Sequence, residues 1–264
     1  MYELDAQGYA GKSRSQALCA VVWVLKHLLR RDVGVLDLPA APKERPRLKV
    51  IPSREEIAQL FEGMRGMPRV MAAVIYGAGL RVEECCMLRV KDLDFGALTI
   101  RVHGGKGDKD RLTVLPRLLV GPLQRWVAWR AALHARDLGE GAGLVERPGR
   151  LGIKYPSAGR EIGWQFLFPS QAVREGRRWH AVPETLQKAM RAAVRAAKIV
   201  KHVTPHTLRH AFATHAMRAG NDVRTIGELL GHESLETTMI YLHADRASGV
   251  SPLDAGAALD CAPF

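Results

Sequence analysis

The sequence predicts an α+β fold, mainly α-helical with a small antiparallel β-sheet. Apolar residues recur at helical spacing over most long stretches. Capping signals and glycine breaks divide those stretches into separate helices. Only around residues 98–114 does the period fall to two, on either side of a Gly-rich turn.

Taken in order, Leu18, Val21, Val22, Leu25, Leu28 and Leu29 define one amphipathic helix over Ser13 to Arg31, with Lys26, Arg30 and Arg31 at its C-terminal end. The following segment, with Pro39, Pro42, Pro46 and Pro52 among basic residues, reads as a linker. Ser53 and Glu56 form a capping box that opens the next helix, toward Gly63. A helix with Pro68 near its start then runs through Val70, Val74 and Ile75 to the break Gly77-Ala78-Gly79, and Arg81 heads another with Glu84, Cys86 and Leu88. Leu98, Ile100 and Val102 alternate with Thr99 and Arg101, and Leu112 and Val114 with Thr113, across the turn HGGKGDKD. This is a hairpin with Lys106 in its connection.

A helix from Leu118 to about His134 carries Trp126 and Trp129, both expected in the core beside Leu118, Leu123 and Leu133. Residues 139–180 read as irregular, and so long a segment inside a compact domain implies a task or a fold of its own. Pro183 to Lys198 is a basic helix with Leu186, Met190, Val194 and Ala197 on one face; Arg191 and Arg195 are candidate DNA contacts elsewhere on it. The run from Thr204 to His243 holds His206, Arg209, His232 and Tyr241, broken at Gly220-Asn221 and Gly231. His206 and Arg209, three apart on a helix, can address one anion together. His210 and His215, on the same helix, are expected to pack.

With 264 residues, 47% hydrophobic and 25% charged, the chain can bury a core, while a net charge of +12 favours a polyanionic partner. Cys19, Cys85, Cys86 and Cys261 form no CxxC pair, so neither a zinc site nor a disulfide framework is expected, and Cys85 and Cys86 read as inert core thiols. The N-terminus lacks signal-peptide order, and the longest apolar run, Ala17 to Leu25, is too short to cross a bilayer. A cytoplasmic protein is expected, with no membrane association.

Phosphodiester cleavage without a metal needs fixed cations around the phosphate oxygens, and arginine offers a planar fork of donors that stays charged. Arg81 and Arg209 are the candidates. A tyrosine attacking phosphorus forms a covalent intermediate that conserves the bond for rejoining. Its phenol, with a pKa of about 10, needs a base or a cationic field, which His206 and His232 can supply. The leaving hydroxyl needs a proton, a role open to Lys106 on its hairpin.

These residues stand in motifs that resemble the tyrosine recombinase (phage integrase) family: GAGLRVEE, GGKGDKDR, HTLRHAFATH, LLGHES and TTMIYLH, in that order. The resemblance implies Tyr241 as nucleophile, Arg81, Arg209, His206 and His232 around the phosphate, Lys106 as general acid and Glu84 as structural partner of Arg81. It implies no metal or other cofactor, DNA as partner, and a homotetrameric synapse formed by a chain that is monomeric when free.

KYPSAGREIGWQFLFPS followed by RRWH resembles the extra element of integron integrases, which act on folded single-stranded attachment-site hairpins as well as a duplex integron site. By position, that resemblance makes Trp164, Trp179 and His180 base contacts, although Trp179 stands where histidine is more familiar and the segment between Phe168 and Arg177 is short. It divides the chain into a remnant of an N-terminal helical DNA-binding (core-binding) domain over 1–36, a linker over 37–52 and a catalytic domain over 53–264, with the inserted element at about 139–182. Two other readings accompany it: a DNA-binding remnant that recombines poorly, and a phage-type or chromosome-dimer recombinase on duplex sites.

Overall fold

The computed structural model describes residues 11–32, 34, 51–104, 110–145 and 155–231. It divides into two compact units, 1–49 and 50–264. In the first, α1 (Gly11–Trp23) passes into a π-helical turn, Val24–Leu28, closed by the Leu29 N–H on the Val24 carbonyl at 3.0 Å. The single regular helix expected through Arg31 therefore widens at Val24. Trp23 and Leu28 are exposed.

The second unit is mostly helical with small antiparallel sheets, as the α+β expectation requires. Ser53 caps α2 (Arg54–Glu62) through the predicted box, its hydroxyl accepting from the Glu56 N–H while Glu56 accepts from the Ser53 N–H at 2.7 Å. The central helix is α3 (Gly66–Ala78), buried on all sides from Val70 to Ala78 because it is apolar all round its second half. It ends at Gly79, whose φ of +68° suits a residue without a side chain. A Cβ there would stand 2.6 Å from the Phe212 ring, so glycine also allows the close approach of α7 (Pro205–Arg218).

After α4 (Val82–Met87) and a 3₁₀ turn (Val90–Asp92), a three-stranded antiparallel sheet is formed by β1 (Leu93–Asp94), β2 (Thr99–Val102) and β3 (Arg111–Val114). β1 was not visible in the sequence pattern, being two residues long. The hairpin is present, with Ile100 opposite Thr113 and Arg101 opposite Leu112. Its inward face on β3 is polar: Thr113 is buried and Leu112 is exposed. The Thr113 hydroxyl donates to the Ala78 carbonyl at 2.7 Å, satisfying an acceptor in the last turn of α3 that leucine could not.

The long helix α5 (Arg117–Gly139) buries Trp126, while Trp129 is exposed and lies on Trp126 at 4.4 Å between ring centroids, against the expectation that both are core. One face of α5 grips the segment that follows. Trp126 Nε1 donates to the Leu167 carbonyl, Arg130 Nε to that of Phe166, and His134 Nε2 to that of Arg160. Asp137 receives the Arg178 fork, at 2.6 Å for one of its two bonds. Burial works against an ionised Asp137, but the Arg178 hydrogen bonds hold its carboxyl below the ordinary range.

The segment read as irregular thus contains two 3₁₀ turns, Pro156–Arg160 and Ile162–Trp164, and a hairpin of β4 (Pro169–Arg174) and β5 (Arg177–His180). Its turn residues Glu175 and Gly176 both have positive φ, the two-residue geometry that matches strand twist. The basic helix α6 (Pro183–Ala196) buries Leu186, Met190 and Ala193, with Val194 only partly covered, so the stripe runs one residue aside from that expected. Helices α7 and α8 (Val223–Leu230) share an apolar cluster of Phe212, Ala216, Met217, Ile226 and Leu230. Asp222 caps α8 at its start, and Gly231 ends it at the predicted break.

Candidate active site

The Glu84 carboxylate, in the first turn of α4, is the centre on which three arginines converge. Arg81 is the N-cap of that helix. Its N–H donates to Glu84 Oε2 at 2.8 Å and its guanidinium to Oε1 at 2.6 Å. Arg111, the first residue of β3, makes a fork on both oxygens at 2.8 and 2.7 Å. Arg209 of α7 stands 3.6 Å from Oε2. Burial alone would raise the Glu84 carboxyl, but the Arg111 and Arg81 hydrogen bonds overcome it and pull it down to about 2. The carboxylate is 8% exposed, so it is a fixed negative charge that holds cations in place.

Two helix ends complete the arrangement. Arg209 donates to the Gly79 carbonyl at the end of α3 and to the Leu230 carbonyl at the end of α8, both at 2.6 Å. Arg111 Nε donates to the Leu229 carbonyl at 3.0 Å. Carbonyls at a helix C-terminus lack intrahelical donors and carry partial negative charge, which suits a guanidinium. Gly231 is needed here, since a Cβ on it would stand 2.9 Å from Arg111 Cδ. Arg209 is therefore buried and held by fixed acceptors, while Arg81 keeps a third of its side chain exposed.

His206 sits in the first turn of α7, exposed, with its ring 4.1 Å from that of buried His210. It shares a cleft of about 350 Å³ with Val82, Gln187, Met190, Arg191 and His202. The structure thus brings His206 and Arg191 to one cleft beside the residue that follows Arg81. Arg195 is exposed on the same helix as Arg191. His215 is buried and hydrogen-bonded to the Tyr76 hydroxyl at 2.9 Å; burial, with Arg54 and Arg218 nearby, brings it down to about 4. It is a packing histidine, as expected. Cys85 and Cys86 are buried, and burial raises the Cys86 thiol to about 12, outside the range of a reactive thiolate. Lys106, His232 and Tyr241 lie outside the described residues.

Trp164 is half-buried, with Lys91 Nζ 3.0 Å from its ring centroid and the Arg89 guanidinium at 5.8 Å. One face of the Trp164 ring is thus covered by a cation. Trp179 on β5 is 38% exposed, and His180 meets Phe166 edge-on while its Nδ1–H donates to the Ala181 carbonyl at 2.8 Å. Among the described residues, no group of three His, Cys, Asp or Glu side chains converges as metal ligands would. No described helix is long and apolar enough to cross a membrane.

Sequence reasoning missed Arg111. The signal was present: Arg111 and Thr113 are two apart on a strand and share a face. Assigning Leu112 to the inside turned Arg111 to the outside, and only the buried Thr113 hydroxyl reverses that.

Known proteins resemble this chain in sequence and in fold. The Phage integrase family model matches residues 53–248. An Escherichia coli protein named integrase/recombinase is 40% identical over 249 residues, covering 91% of this chain and 74% of its own. Tyrosine recombinase XerA of Thermococcus onnurineus is 32% identical over 90% of this chain and 73% of its own. A crystal structure of XerA recombinase superposes with a TM-score of 0.56 at 29% identity, over 92% of this chain and 75% of the other. The Tn1549 transposon integrase in complex with transposon right end DNA gives a TM-score of 0.66 at 16% identity, over 96% and 80%, a likeness of fold.

Proposed function

Since the chain belongs to the phage integrase family of tyrosine recombinases, and so is a DNA strand transferase of site-specific recombination, we propose that it cuts and rejoins DNA through Tyr241. The observation that supports this reading best is the Glu84 centre, which holds Arg81 and Arg209 within one array of ion pairs. The two guanidiniums flank the scissile phosphate and neutralise the charge that builds on its oxygens. The Tyr241 phenol loses its proton to His206 or His232 and its oxygen attacks phosphorus. The bond from phosphorus to the 5′ oxygen breaks, and Lys106 delivers a proton to that oxygen. The product is a 3′-phosphotyrosine and a free 5′ hydroxyl, with no change in oxidation state. Attack by a 5′ hydroxyl of another strand reverses each step and rejoins the DNA.

The substrate in this reading is an integron attachment site folded from one strand, with gene cassettes integrated and excised in a homotetrameric synapse of chains that are monomeric when free. Support comes from the segment 155–180, held along α5 by Trp126 and His134 and pinned to the core through Leu167 and Phe168, with Trp179 38% exposed. The exposed Arg191 and Arg195 supply phosphate contacts. The cover of Lys91 over Trp164 favours a second reading, recombination between duplex sites. Cleavage of nicked oligonucleotides tiling the DNA around the gene separates the two, each offered as a folded single strand and as the matching duplex. Faster covalent capture of the folded strand supports the integron reading; preference for the duplex replaces it with the second.

A further inference from the structure

Every nitrogen of the Arg111 guanidinium is engaged by the protein. Nη1 and Nη2 fork onto the two Glu84 oxygens at 2.8 and 2.7 Å, and Nε donates to the Leu229 carbonyl at 3.0 Å. The side chain is 11% exposed. Its strand is fixed beneath it: Arg111 pairs with buried Val102 across the hairpin, and Thr113, two residues on, is bonded to the end of α3. Its aliphatic stem lies against Gly231, where a Cβ would stand 2.9 Å from Cδ. So placed, Arg111 acts through Glu84 rather than on DNA.

Arg81 is bound differently. Its guanidinium gives Nη1 to Glu84 Oε1 at 2.6 Å, and a third of its side chain is exposed. Both arginines meet on that oxygen, but the Arg111 guanidinium spans the whole carboxylate. A bidentate fork is the arrangement in which arginine and carboxylate satisfy each other most completely. Without it, the buried charge of Glu84 would fall to its remaining cations, Arg81 at 2.6 Å and Arg209 at 3.6 Å. Three guanidiniums that stay ionised surround one carboxylate, so the centre carries two positive charges in excess. A phosphodiester attacked by a phenolate gathers two negative charges at phosphorus, which fixed cations stabilise. The excess equals that demand while Arg111 is present; without it a single positive charge remains.

We infer that Arg111 is a positioning residue for strand cleavage: by neutralising Glu84 through its fork, it leaves the charges of Arg81 and Arg209 to the scissile phosphate. The inference rests on the reading of Arg81 and Arg209 as the pair that flanks that phosphate. Arg111 itself touches no DNA and exchanges no proton. Its loss is felt in the cleavage step and not in DNA binding.

The test compares the full chain and its variants on nicked oligonucleotides from the DNA around the gene, with a phosphodiester or a methylphosphonate at the cleaved position. A methyl group in place of one non-bridging oxygen removes one negative charge from the linkage and from its transition state, so one fewer cation is required. Arg111→Met is expected to form the covalent complex about tenfold or more slowly than wild type on the phosphodiester. On the methylphosphonate it is expected within about threefold of wild type, a rate that also shows the variant to be folded. Arg111→Lys keeps the charge and is expected to recover part of the phosphodiester rate. DNA affinity, read by fluorescence anisotropy, is expected within about twofold of wild type in both variants. Equal slowing of Arg111→Met on both substrates, which a merely structural role produces, overturns the inference, as does no slowing on either or a loss of affinity that accounts for the slower cleavage. Arg81→Met tests the underlying reading separately: if the methylphosphonate fails to relieve its defect, Arg81 does not flank the phosphate, and the inference falls with it. Relief in Arg81→Met without relief in Arg111→Met refutes the inference alone.

Discussion

Replacing Glu84 by glutamine removes the negative charge on which Arg81, Arg111 and Arg209 converge, and the cost can be worked from its ionisation. The carboxyl falls from its ordinary 4.5 to about 2 in the folded protein. At about 1.4 kcal/mol for each pH unit, that fall corresponds to roughly 3 kcal/mol of stability at neutral pH. A depressed carboxyl contributes fully above its unfolded value and loses its contribution as pH falls toward the folded one. By pH 3 about half or more is gone. Glutamine also turns an amide donor toward guanidinium donors, so the neutral-pH loss should reach about 3–5 kcal/mol. Urea unfolding followed by tryptophan fluorescence, at pH 7 and pH 3, measures both quantities. Glu84→Gln should be less stable than wild type by that amount at pH 7, with a gap about 2 kcal/mol smaller at pH 3. A gap below about 1 kcal/mol at pH 7, or one equal at both pH values, would refute the account of Glu84 as the charge that holds the arginines.

Three further outcomes follow from the same structure. Thr113→Val keeps the shape but leaves the Ala78 carbonyl without its donor, and should cost about 1–3 kcal/mol in thermal or urea unfolding. Gly79→Ala puts a Cβ against Phe212 and Leu230 at a φ of +68°; it should destabilise by more than about 1 kcal/mol and slow strand cleavage, because the Gly79 and Leu230 carbonyls hold Arg209. Arg191→Ala and Arg195→Ala should each weaken DNA binding and lower the slope of log affinity against log salt by about 0.7–0.9, read from fluorescence anisotropy titrations on a folded strand and a duplex.

The fold was legible where local chemistry acts alone. Ser53 with Glu56, and the glycines at 79 and 231, mark helix ends by rules that need no tertiary partner, and the structure has those ends. The sequence misled where a distant partner decides. Thr113 faces inward because α3 ends above it with an acceptor to fill, and Arg111 follows it inward to Glu84, 27 positions earlier in the chain. Residues 155–180 gave no periodic signal because what orders them is the polar face of α5: Arg130, His134 and Asp137 would pass for a solvated stripe until their partners Phe166, Arg160 and Arg178 are seen. Trp164 illustrates the same limit, since nothing in its neighbourhood in the chain foretells the Lys91 ammonium over its ring. In the site, Arg81 and Glu84 are neighbours on one helix turn and could be paired by spacing. Arg209 could be named from its motif, but not its burial between two helix ends.

The central claim is that Tyr241 carries the DNA. The most direct test is to capture the covalent complex on a nicked oligonucleotide from the DNA around the gene, digest it with trypsin, and sequence the DNA-linked peptide by mass spectrometry. A single modified peptide with the 3′ phosphate on the Tyr241 oxygen is expected, and no adduct from Tyr241→Phe. A DNA link on another residue, or an adduct that persists in Tyr241→Phe, would contradict it.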